Sequence, residues 1–339
     1  MGRAKCGHNI SPESGKLYLI GVAAELPLRD GSVTVASSAA ARRRLLVIFN
    51  PIAGRGARAK LARALAALER LGVAVTLRET GAPGDAEAFA REASSADFDG
   101  IVIAGGDGTV NEAVNGLDDP ALALAVFPFG TENVLAREIG LTRNPERVAE
   151  IAARGPARPI SVGEVVFTDR TAPRRFLLMT GVGFDAEVVS GLDLALKRRI
   201  GKFAFVWSIL QRLWRYRAVE YAVSVQSAGG SARYRAASAI AAKARFYAGP
   251  FVLAPAAGLA RPTFELALLK RPGRGAALTC LVALAGGFIH RLRQVEIATV
   301  TSATFSAPAG APVQIDGDPL GRLPITVRIA DRPLLLVHP

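Results

Sequence analysis

The sequence predicts an α/β protein in which a doubly wound parallel sheet precedes a second, mainly antiparallel β domain. Three observations carry this prediction. The chain has 339 residues, more than the roughly 250–300 that one hydrophobic core usually supports. Short apolar strands alternate with helical patterns up to residue 127, which indicates parallel strands joined by helices. From about Ser161 the chain changes to short strand-like segments separated by turn residues, as in antiparallel sheets.

The first half begins with an apolar run at 45–49, which is typical of a strand buried on both faces of a parallel sheet. A turn containing glycine follows, and leucines then recur at helical spacing, at Leu61, Leu65, Leu68 and Leu71. The unit repeats, with strands predicted at 73–77, 101–104 and 122–127 and helices at 85–93 and 110–116. This order predicts a sheet with helices on both faces.

The second half contains predicted strands at 163–167, 176–180, 219–226 and 236–242, and one helical segment at 192–216 that carries both tryptophans. We predict four parts: a poorly structured extension at 1–43, an α/β domain at 44–160, a β-rich domain at 161–322, and a C-terminal segment at 323–339 that returns to the first domain.

The composition indicates that the binding partners carry negative charge, but it does not identify which kind of partner binds. The formal net charge of +13 favours negatively charged partners, such as nucleic acid, anionic lipid head groups or phosphorylated ligands. Cys6 and Cys280 are far apart, so neither a zinc site nor a disulfide framework is indicated, which fits a reducing cytoplasm. The longest apolar run, at 276–289, is shorter than the ~20 residues that a membrane-spanning helix needs.

The strongest local motif is a glycine-rich loop between a buried strand and a helix, Gly105-Gly106-Asp107-Gly108-Thr109. Glycines allow backbone N–H groups to approach a phosphate, and the following helix adds positive potential. The loop is neither a Walker A motif nor the dinucleotide fingerprint, and an ordinary tight turn is the alternative. A carboxylate in such a loop suits a magnesium ion or a substrate hydroxyl better than a phosphate, so we expect Asp107 to serve one of these.

Two more glycine turns follow predicted parallel strands, at 50–56 and at 130–133. Each of these two turns, taken alone, is more simply interpreted as an ordinary turn between a strand and a helix. The carboxyl ends of parallel strands meet at one edge of a sheet, where open α/β sheets bind their ligands. The three turns together therefore predict a nucleotide cleft.

These motifs resemble one family as a set. They are Asn50-Pro51 with Gly54, the 105–109 loop, Gly130-Thr131 with Asn133, the run 181–185, and Asp316-Gly317-Asp318. In this order they resemble the diacylglycerol kinase catalytic-domain family, which includes bacterial diacylglycerol kinases, related lipid kinases, and sphingosine and ceramide kinases. The resemblance implies an NAD-kinase-like ATP-binding domain, a β-sandwich domain for the lipid substrate, an active site between them, and ATP with Mg²⁺ as cofactors.

The resemblance also implies roles for individual residues. It assigns nucleotide contacts to Asn50, Pro51, Ile52, Ala53, Gly54, Thr80, Gly105, Gly106, Asp107, Gly108, Thr109, Val110, Asn111 and Thr131. The acidic turn, usually Asp-Gly-Glu in the family, supplies the base, which makes Asp316 and Asp318 catalytic candidates together with Asp107. Turn chemistry alone explains the segment 316–321 as a hairpin loop, because Asp-Gly is a favoured turn pair. We expect the run 181–185 to be a tight turn beside the cleft.

One departure from the family pattern concerns a metal site. The family generally has an Asp-Asp-Gly segment that holds a magnesium ion, where this chain has Ala260-Arg261-Pro262. Alanine and arginine supply no oxygen ligands for a hard cation. We therefore assign no metal ligands in the protein itself and expect only Mg²⁺ carried by the nucleotide.

The resulting function is an ATP-dependent lipid kinase, with diacylglycerol, converted to phosphatidic acid, as the acceptor most frequent in the family. NAD kinase is one alternative, and a non-catalytic lipid- or nucleic-acid-binding relative is another, although no nucleic-acid motif is visible. The basic, aromatic segment 192–217 suits an anionic membrane surface, or equally a helix packed inward. We expect a cytoplasmic protein at the membrane periphery, and the sequence leaves a homodimer open.

Overall fold

The computed structural model describes residues 41–169, 172–190, 219–308 and 310–339. Two expectations therefore lie wholly or largely outside the described residues: the extension, of which only 41–43 are described, and the helix at 192–216. The last residues before the first strand are anchored. Arg42 is buried and donates to the carbonyl oxygens of Ala152, at 2.7 Å, and Gly155, at 2.5 Å.

The first sheet and its helices occupy the N-terminal half. In chain order the elements are β1 (Arg44–Phe49), α1 (Ala57–Arg70), β2 (Ala74–Glu79), α2 (Asp85–Arg91), β3 (Gly100–Gly105), α3 (Asp107–Gly116), β4 (Ala123–Pro128), α4 (Val134–Glu138), α5 (Pro145–Arg154) and β5 (Ala157–Ile160). The final strand of the chain, β20 (Leu334–Val337), lies between β4 and β5, in the order β2-β1-β3-β4-β20-β5. All neighbours are parallel except β20 and β5.

Residues of β1 alternate between two cores, as a doubly wound sheet requires. Leu45, Val47 and Phe49 belong to a cluster with α1 and α5. Leu46 and Ile48 belong to another cluster with α2 and α3. Helices therefore cover both faces of this sheet, which explains why its strands read as continuous apolar runs.

The second half forms two six-stranded antiparallel sheets. The remaining elements in chain order are β6 (Gly163–Phe167), β7 (Arg174–Phe176), β8 (Met179–Gly183), α6 (Phe184–Ser190), β9 (Tyr221–Ser227), β10 (Gly230–Ala236), β11 (Ser238–Ala242), β12 (Phe246–Tyr247), β13 (Phe251–Val252), β14 (Phe264–Leu269), α7 (Arg274–Ala285), a 3₁₀ turn (Ile289–Arg291), β15 (Val295–Val300), β16 (Ser302–Ala307), β17 (Pro312–Ile315), β18 (Asp318–Arg322) and β19 (Ile325–Ile329). The sheet orders are β10-β9-β16-β19-β6-β7 and β15-β14-β11-β8-β17-β18. Buried residues of both sheets form one cluster, so the predicted β-sandwich is confirmed.

Three local predictions were wrong. The strand predicted at 176–180 is two strands of different sheets, β7 and β8, joined by Leu177 and Leu178. The run 181–185 is the end of β8 and the start of α6 rather than a tight turn. The loop predicted at 316–321 is a short turn followed by β18. The last two errors arose where glycine or proline was interpreted as a loop signal although the backbone continues in a strand.

The longest apolar run of the sequence forms α7 and the turn after it. Within the described ranges, no helix has the length and apolar character needed to cross a membrane.

Candidate active site

Three glycine loops meet at the carboxyl edge of the first sheet, after β1, β3 and β4. The amides of Phe129 and Gly130 donate to the Gly105 carbonyl, at 3.0 and 3.1 Å. A Cβ on Gly54 would lie 2.5 Å from the Phe129 carbonyl oxygen, and one on Gly130 would lie 2.7 Å from the Gly106 Cα. Since only glycine allows such contacts, the loops form a cradle of bare backbone. The positive N-terminal end of α3 begins in this cradle.

Polar side chains hold the cradle together. Asn50 Nδ2 donates to Thr109 Oγ1 at 2.9 Å, and Asn50 Oδ1 accepts from the Ile52 amide at 3.1 Å. The buried Thr80 follows β2 at the same edge and donates its amide to the Phe49 carbonyl at 2.8 Å. The first loop is thus fixed from both neighbouring strands.

The other residues of these loops that were predicted to contact the nucleotide differ in how exposed they are. Ile52 is 75% exposed and Thr131 is exposed, whereas Pro51 and Ala53 are partly buried. In the loop after β4, Asn133 Nδ2 donates to the carbonyls of Pro128 and Gly130, at 3.0 and 2.7 Å. Its Oδ1 is buried and has no hydrogen-bond partner among the described residues.

Two predicted nucleotide contacts have other surroundings. Val110 is 2% exposed and packs in the core. Asn111 Nδ2 donates to Asp316 Oδ2 at 2.9 Å and to the Arg175 carbonyl at 3.0 Å. These two side chains therefore pack α3 and connect it to the acidic turn, and this placement does not support a nucleotide contact for either.

Asp107 has a structural task that its sequence context did not reveal. Its two carboxylate oxygens accept the amides of Val134 and Leu135, at 2.8 and 3.1 Å. These are the first N–H groups of α4, so Asp107 caps that helix. The carboxylate thereby ties the loop after β3 to the loop after β4, and the expected service of Asp107 to a magnesium ion or a substrate hydroxyl stays a prediction.

Asp316 is the most densely bonded carboxylate of the acidic turn. Its Oδ1 accepts the amides of Leu178 and Met179, at 2.9 and 2.8 Å, and its Oδ2 accepts the amide of Leu177 at 2.9 Å in addition to Asn111. Burial raises the pKa of Asp316 to about 6, and these four hydrogen bonds oppose the shift. With both oxygens committed, Asp316 anchors the turn.

Asp318 lies beside the glycine cradle. It is exposed, and its Oδ2 lies 3.4 Å from the position that a Cβ on Gly108 would occupy. Nearby, burial raises the pKa of Glu112, and the negative charge of Asp318 adds to that shift, although the amides of Gly84 and Ala86 oppose it. The structure therefore places Asp318, rather than Asp316, beside the glycine cradle.

A hydrogen-bonded path leads from the acidic turn to an apolar cavity. The Gly317 amide donates to Gln314 Oε1 at 2.9 Å, and Gln314 Nε2 donates to Asp185 Oδ2 at 2.8 Å. The Tyr247 hydroxyl donates to the other oxygen of Asp185. Burial raises the pKa of Asp185, and these two hydrogen bonds oppose the shift. Gln314 and Tyr247 were not among the site residues predicted from the sequence, and a glutamine in an otherwise apolar strand was the available signal for the first.

Asp185 and Tyr247 belong to the lining of a cavity of about 240 Å³. Most of the wall is apolar and comes from β11, the segment at β13, β14 and α7, including Ile240, Phe251, Leu253, Leu269, Ala277 and Leu284. A cavity with an apolar wall and a few polar groups is typical of a site for a largely apolar ligand.

The described residues do not fit an accessory metal ion. No group of three or more His, Cys, Asp or Glu side chains in the described ranges could hold a metal. The backbone oxygens around the segment 260–262 instead face a lysine: Lys243 Nζ donates to the carbonyls of Gly258, Arg261 and Thr263.

Comparison with known proteins agrees with this architecture. Residues 44–165 match the model of the diacylglycerol kinase catalytic domain, and residues 179–338 match that of the YegS C-terminal NAD kinase beta sandwich-like domain. A diacylglycerol kinase of Bacillus subtilis (strain 168) is 32% identical over 233 residues, which are 68% of this chain and 74% of the relative. The chain belongs to the diacylglycerol kinase family. The resemblance drawn from the motifs is thus confirmed, and the chain is a kinase.

Other diacylglycerol kinases extend the comparison. A diacylglycerol kinase of Mycobacterium tuberculosis (strain H37Rv) is 26% identical over 300 residues, which are 87% of this chain and 95% of the relative. A crystal structure of a diacylglycerol kinase from Bacillus anthracis str. Sterne superposes with a TM-score of 0.69 at 21% identity, and the match covers 88% of this chain and 98% of that one. At 21% identity, the match to the Bacillus anthracis structure supports the fold alone.

Proposed function

We propose that this diacylglycerol kinase family member transfers the γ-phosphoryl group of ATP to a lipid hydroxyl, with diacylglycerol as the acceptor and phosphatidic acid as the product. The observation that carries the proposal is the position of Asp318 beside the glycine cradle, next to Gly317, whose amide begins the hydrogen-bonded path through Gln314 to Asp185 in the lining of an apolar cavity. Such a path joins a phosphate surface to an acyl-chain site. The names of the relatives support the lipid class.

The nucleotide would lie in the cradle formed by the three loops. Backbone N–H groups and the N-terminal end of α3 suit the phosphates. Mg²⁺ bound with ATP would neutralise phosphate charge. The residues present fit such an ion, because Asp318 adds a carboxylate beside the cradle.

Asp318 is the candidate base. Its carboxylate would take the proton of the acceptor hydroxyl while that oxygen attacks the γ-phosphorus. The new oxygen–phosphorus bond forms as the bond from the γ-phosphorus to the bridging oxygen breaks, and the negative charge stays on ADP. Asp316 and Gln314 hold the turn that carries this base.

The decisive assay incubates purified protein with γ-labelled ATP, Mg²⁺ and, separately, diacylglycerol, sphingosine, ceramide or NAD. We expect label in phosphatidic acid. A labelled phosphate on NAD would favour the NAD kinase alternative, which the apolar wall of the cavity disfavours because NAD is polar. Labelling of no acceptor would favour the non-catalytic alternative.

The membrane is the proposed source of the lipid. Leu278 and Val282 of α7 are 49% and 59% exposed, and Phe288 after it is 40% exposed. Apolar side chains on an accessible surface, together with a net charge of +13, suit reversible binding to anionic lipid. We propose a cytoplasmic protein that binds the membrane peripherally.

Asp107→Ala tests the positioning role. We expect KM for ATP to rise roughly 5- to 10-fold and stability to fall by about 1 kcal/mol, since the cap of α4 is lost. Steady-state kinetics and thermal unfolding measure both. Asn144→Ala is the control, because it removes the cap of α5, where Asn144 accepts the Arg147 amide, without touching the cradle. An unchanged KM with a kcat reduced more than about 100-fold would show that Asp107 acts on the reacting groups instead.

Ala277→Phe tests the acyl-chain cavity. The larger ring would fill space that the lipid needs, so kcat/KM for a long-chain diacylglycerol should fall roughly 10-fold or more, whereas a short-chain soluble analogue should be affected much less. Thr279→Phe, at an exposed position of the same helix outside the cavity lining, is the matched control. Equal losses with both chain lengths and an unchanged melting temperature would argue against an acyl-chain site here.

A further inference from the structure

Lys243 is a fully buried lysine whose ammonium is surrounded by backbone carbonyls. It follows β11 directly and has 0% exposure. Its Nζ donates to the carbonyl oxygens of Arg261 at 2.5 Å, Thr263 at 3.0 Å and Gly258 at 3.4 Å. Three acceptors match the three protons of an ammonium group. Among the described residues no carboxylate forms a salt bridge with it.

Burying a charge without an opposite charge is costly unless its hydrogen bonds are complete. Burial lowers the pKa of Lys243 to about 8. A methionine could fill the same volume without the cost, but it would leave three buried carbonyls facing an apolar group. The convergence of carbonyl dipoles on one point therefore calls for a cation.

The carbonyls belong to the segment in which the resemblance places an acidic magnesium site. Here that segment reads Ala260-Arg261-Pro262 and has no carboxylate. Removing the acids would remove the cation, and the converging backbone oxygens would then be unpaired. A lysine reaching the same oxygens compensates for that loss within one chain.

We propose that the Lys243 ammonium is a built-in cation that takes the place of the accessory divalent ion, so that this protein orders the 258–263 loop without a second metal. The inference is independent of the proposed function. It concerns how the loop is held and which ions the protein needs.

The same lysine is connected to the acidic turn. The Lys243 amide donates to the Leu178 carbonyl at 2.8 Å, and the Leu178 amide donates to Asp316 Oδ1 at 2.9 Å. The loop itself is tied to the start of the sandwich, because the Ser161 amide donates to the Leu259 carbonyl at 2.8 Å. The backbone of Lys243 is therefore hydrogen-bonded to the connection between β7 and β8 that anchors Asp316.

The first test measures thermal unfolding of the nucleotide-free protein with EDTA and with Mg²⁺. We expect the same melting temperature in both, because the cation site is internally filled. Lys243→Met should lower the melting temperature by on the order of 5 °C or more. Lys270→Met is the control, since its ammonium forms a half-exposed pair with Glu296 and its loss should change little.

The second test asks whether a magnesium site can be rebuilt at 260–262 in place of the lysine. A variant that combines Lys243→Ala with Ala260→Asp, Arg261→Asp and Pro262→Gly should gain a melting temperature that Mg²⁺ raises and EDTA lowers. Stabilisation of the parent protein by Mg²⁺ without nucleotide would overturn the proposal, as would a parent-like melting temperature for Lys243→Met. If the combined variant does not fold, the parent and Lys243→Met measurements still decide the question.

Discussion

Asp318→Asn should lower kcat by about 10²- to 10⁴-fold, the usual contribution of a positioned general base. The amide has nearly the shape of the carboxylate but cannot accept the proton of the lipid hydroxyl. Because Asp318 is exposed, the melting temperature should change little, and so should the affinity for ATP measured without Mg²⁺. Phosphatidic acid formation, thermal unfolding and calorimetry with ATP measure the three quantities.

The control for this prediction is the exposed acid Asp331, which follows β19 outside the acidic turn; Asp331→Asn should retain parent activity. Asp318→Glu restores the glutamate usual in the family and should keep much of the turnover, because the added methylene extends the reach of the same base. If Asp318→Asn turned over lipid at half the parent rate, the base would have to be sought elsewhere, and the partly buried Glu112 near Asp318 would be the next candidate.

The sequence predicted the first sheet well because its strands are buried on both faces. Apolar runs such as 45–49 then have one plausible structure, and β1, β3 and β4 agree with prediction within two residues at each end. The strands near the site were harder, because the signals for turn and strand coincide there. Gly181 and Gly183 lie in β8, and Pro319 lies in β18, although glycine and proline normally indicate loops.

The sequence predicted the separate loops of the site but not the contacts between distant residues that join them. Motif order located the three loops and the acidic turn, since glycine and Asp-Gly are local signals. The contacts that join them run between residues far apart in sequence, such as Asn111 with Asp316 and Lys243 with the 258–263 loop. Local pattern carries no information about such pairings, so the division of roles between Asp316 and Asp318 became visible only in three dimensions.

Asp316→Asn should unfold more easily than the parent, in contrast to Asp318→Asn. Each carboxylate oxygen of Asp316 accepts two hydrogen bonds. In the asparagine variant an NH₂ group replaces one of these oxygens, and because it cannot accept a hydrogen bond it leaves two donors without an acceptor. Two donors left unpaired cost about 2–6 kcal/mol. The amide also escapes the cost of burying a charge, which is about 3 kcal/mol for a pKa raised by roughly two units. The middle of the first range, about 4 kcal/mol, exceeds the second effect by about 1 kcal/mol, and we expect a net loss of that order.

Asp316→Ala provides the comparison that separates the two effects, because it removes the charge and leaves all four donors without a protein acceptor. Its stability should be lower than that of Asp316→Asn, whereas Asn111→Ala, which removes one donor, should cost least. Both Asp316 variants should also lose turnover, since the turn that carries Asp318 shifts when its anchor is lost. Denaturant unfolding ranks the three variants. A parent-like stability for Asp316→Ala would mean that the four hydrogen bonds only offset the burial of the charge, and Asp316 would then be free to share the role of base with Asp318.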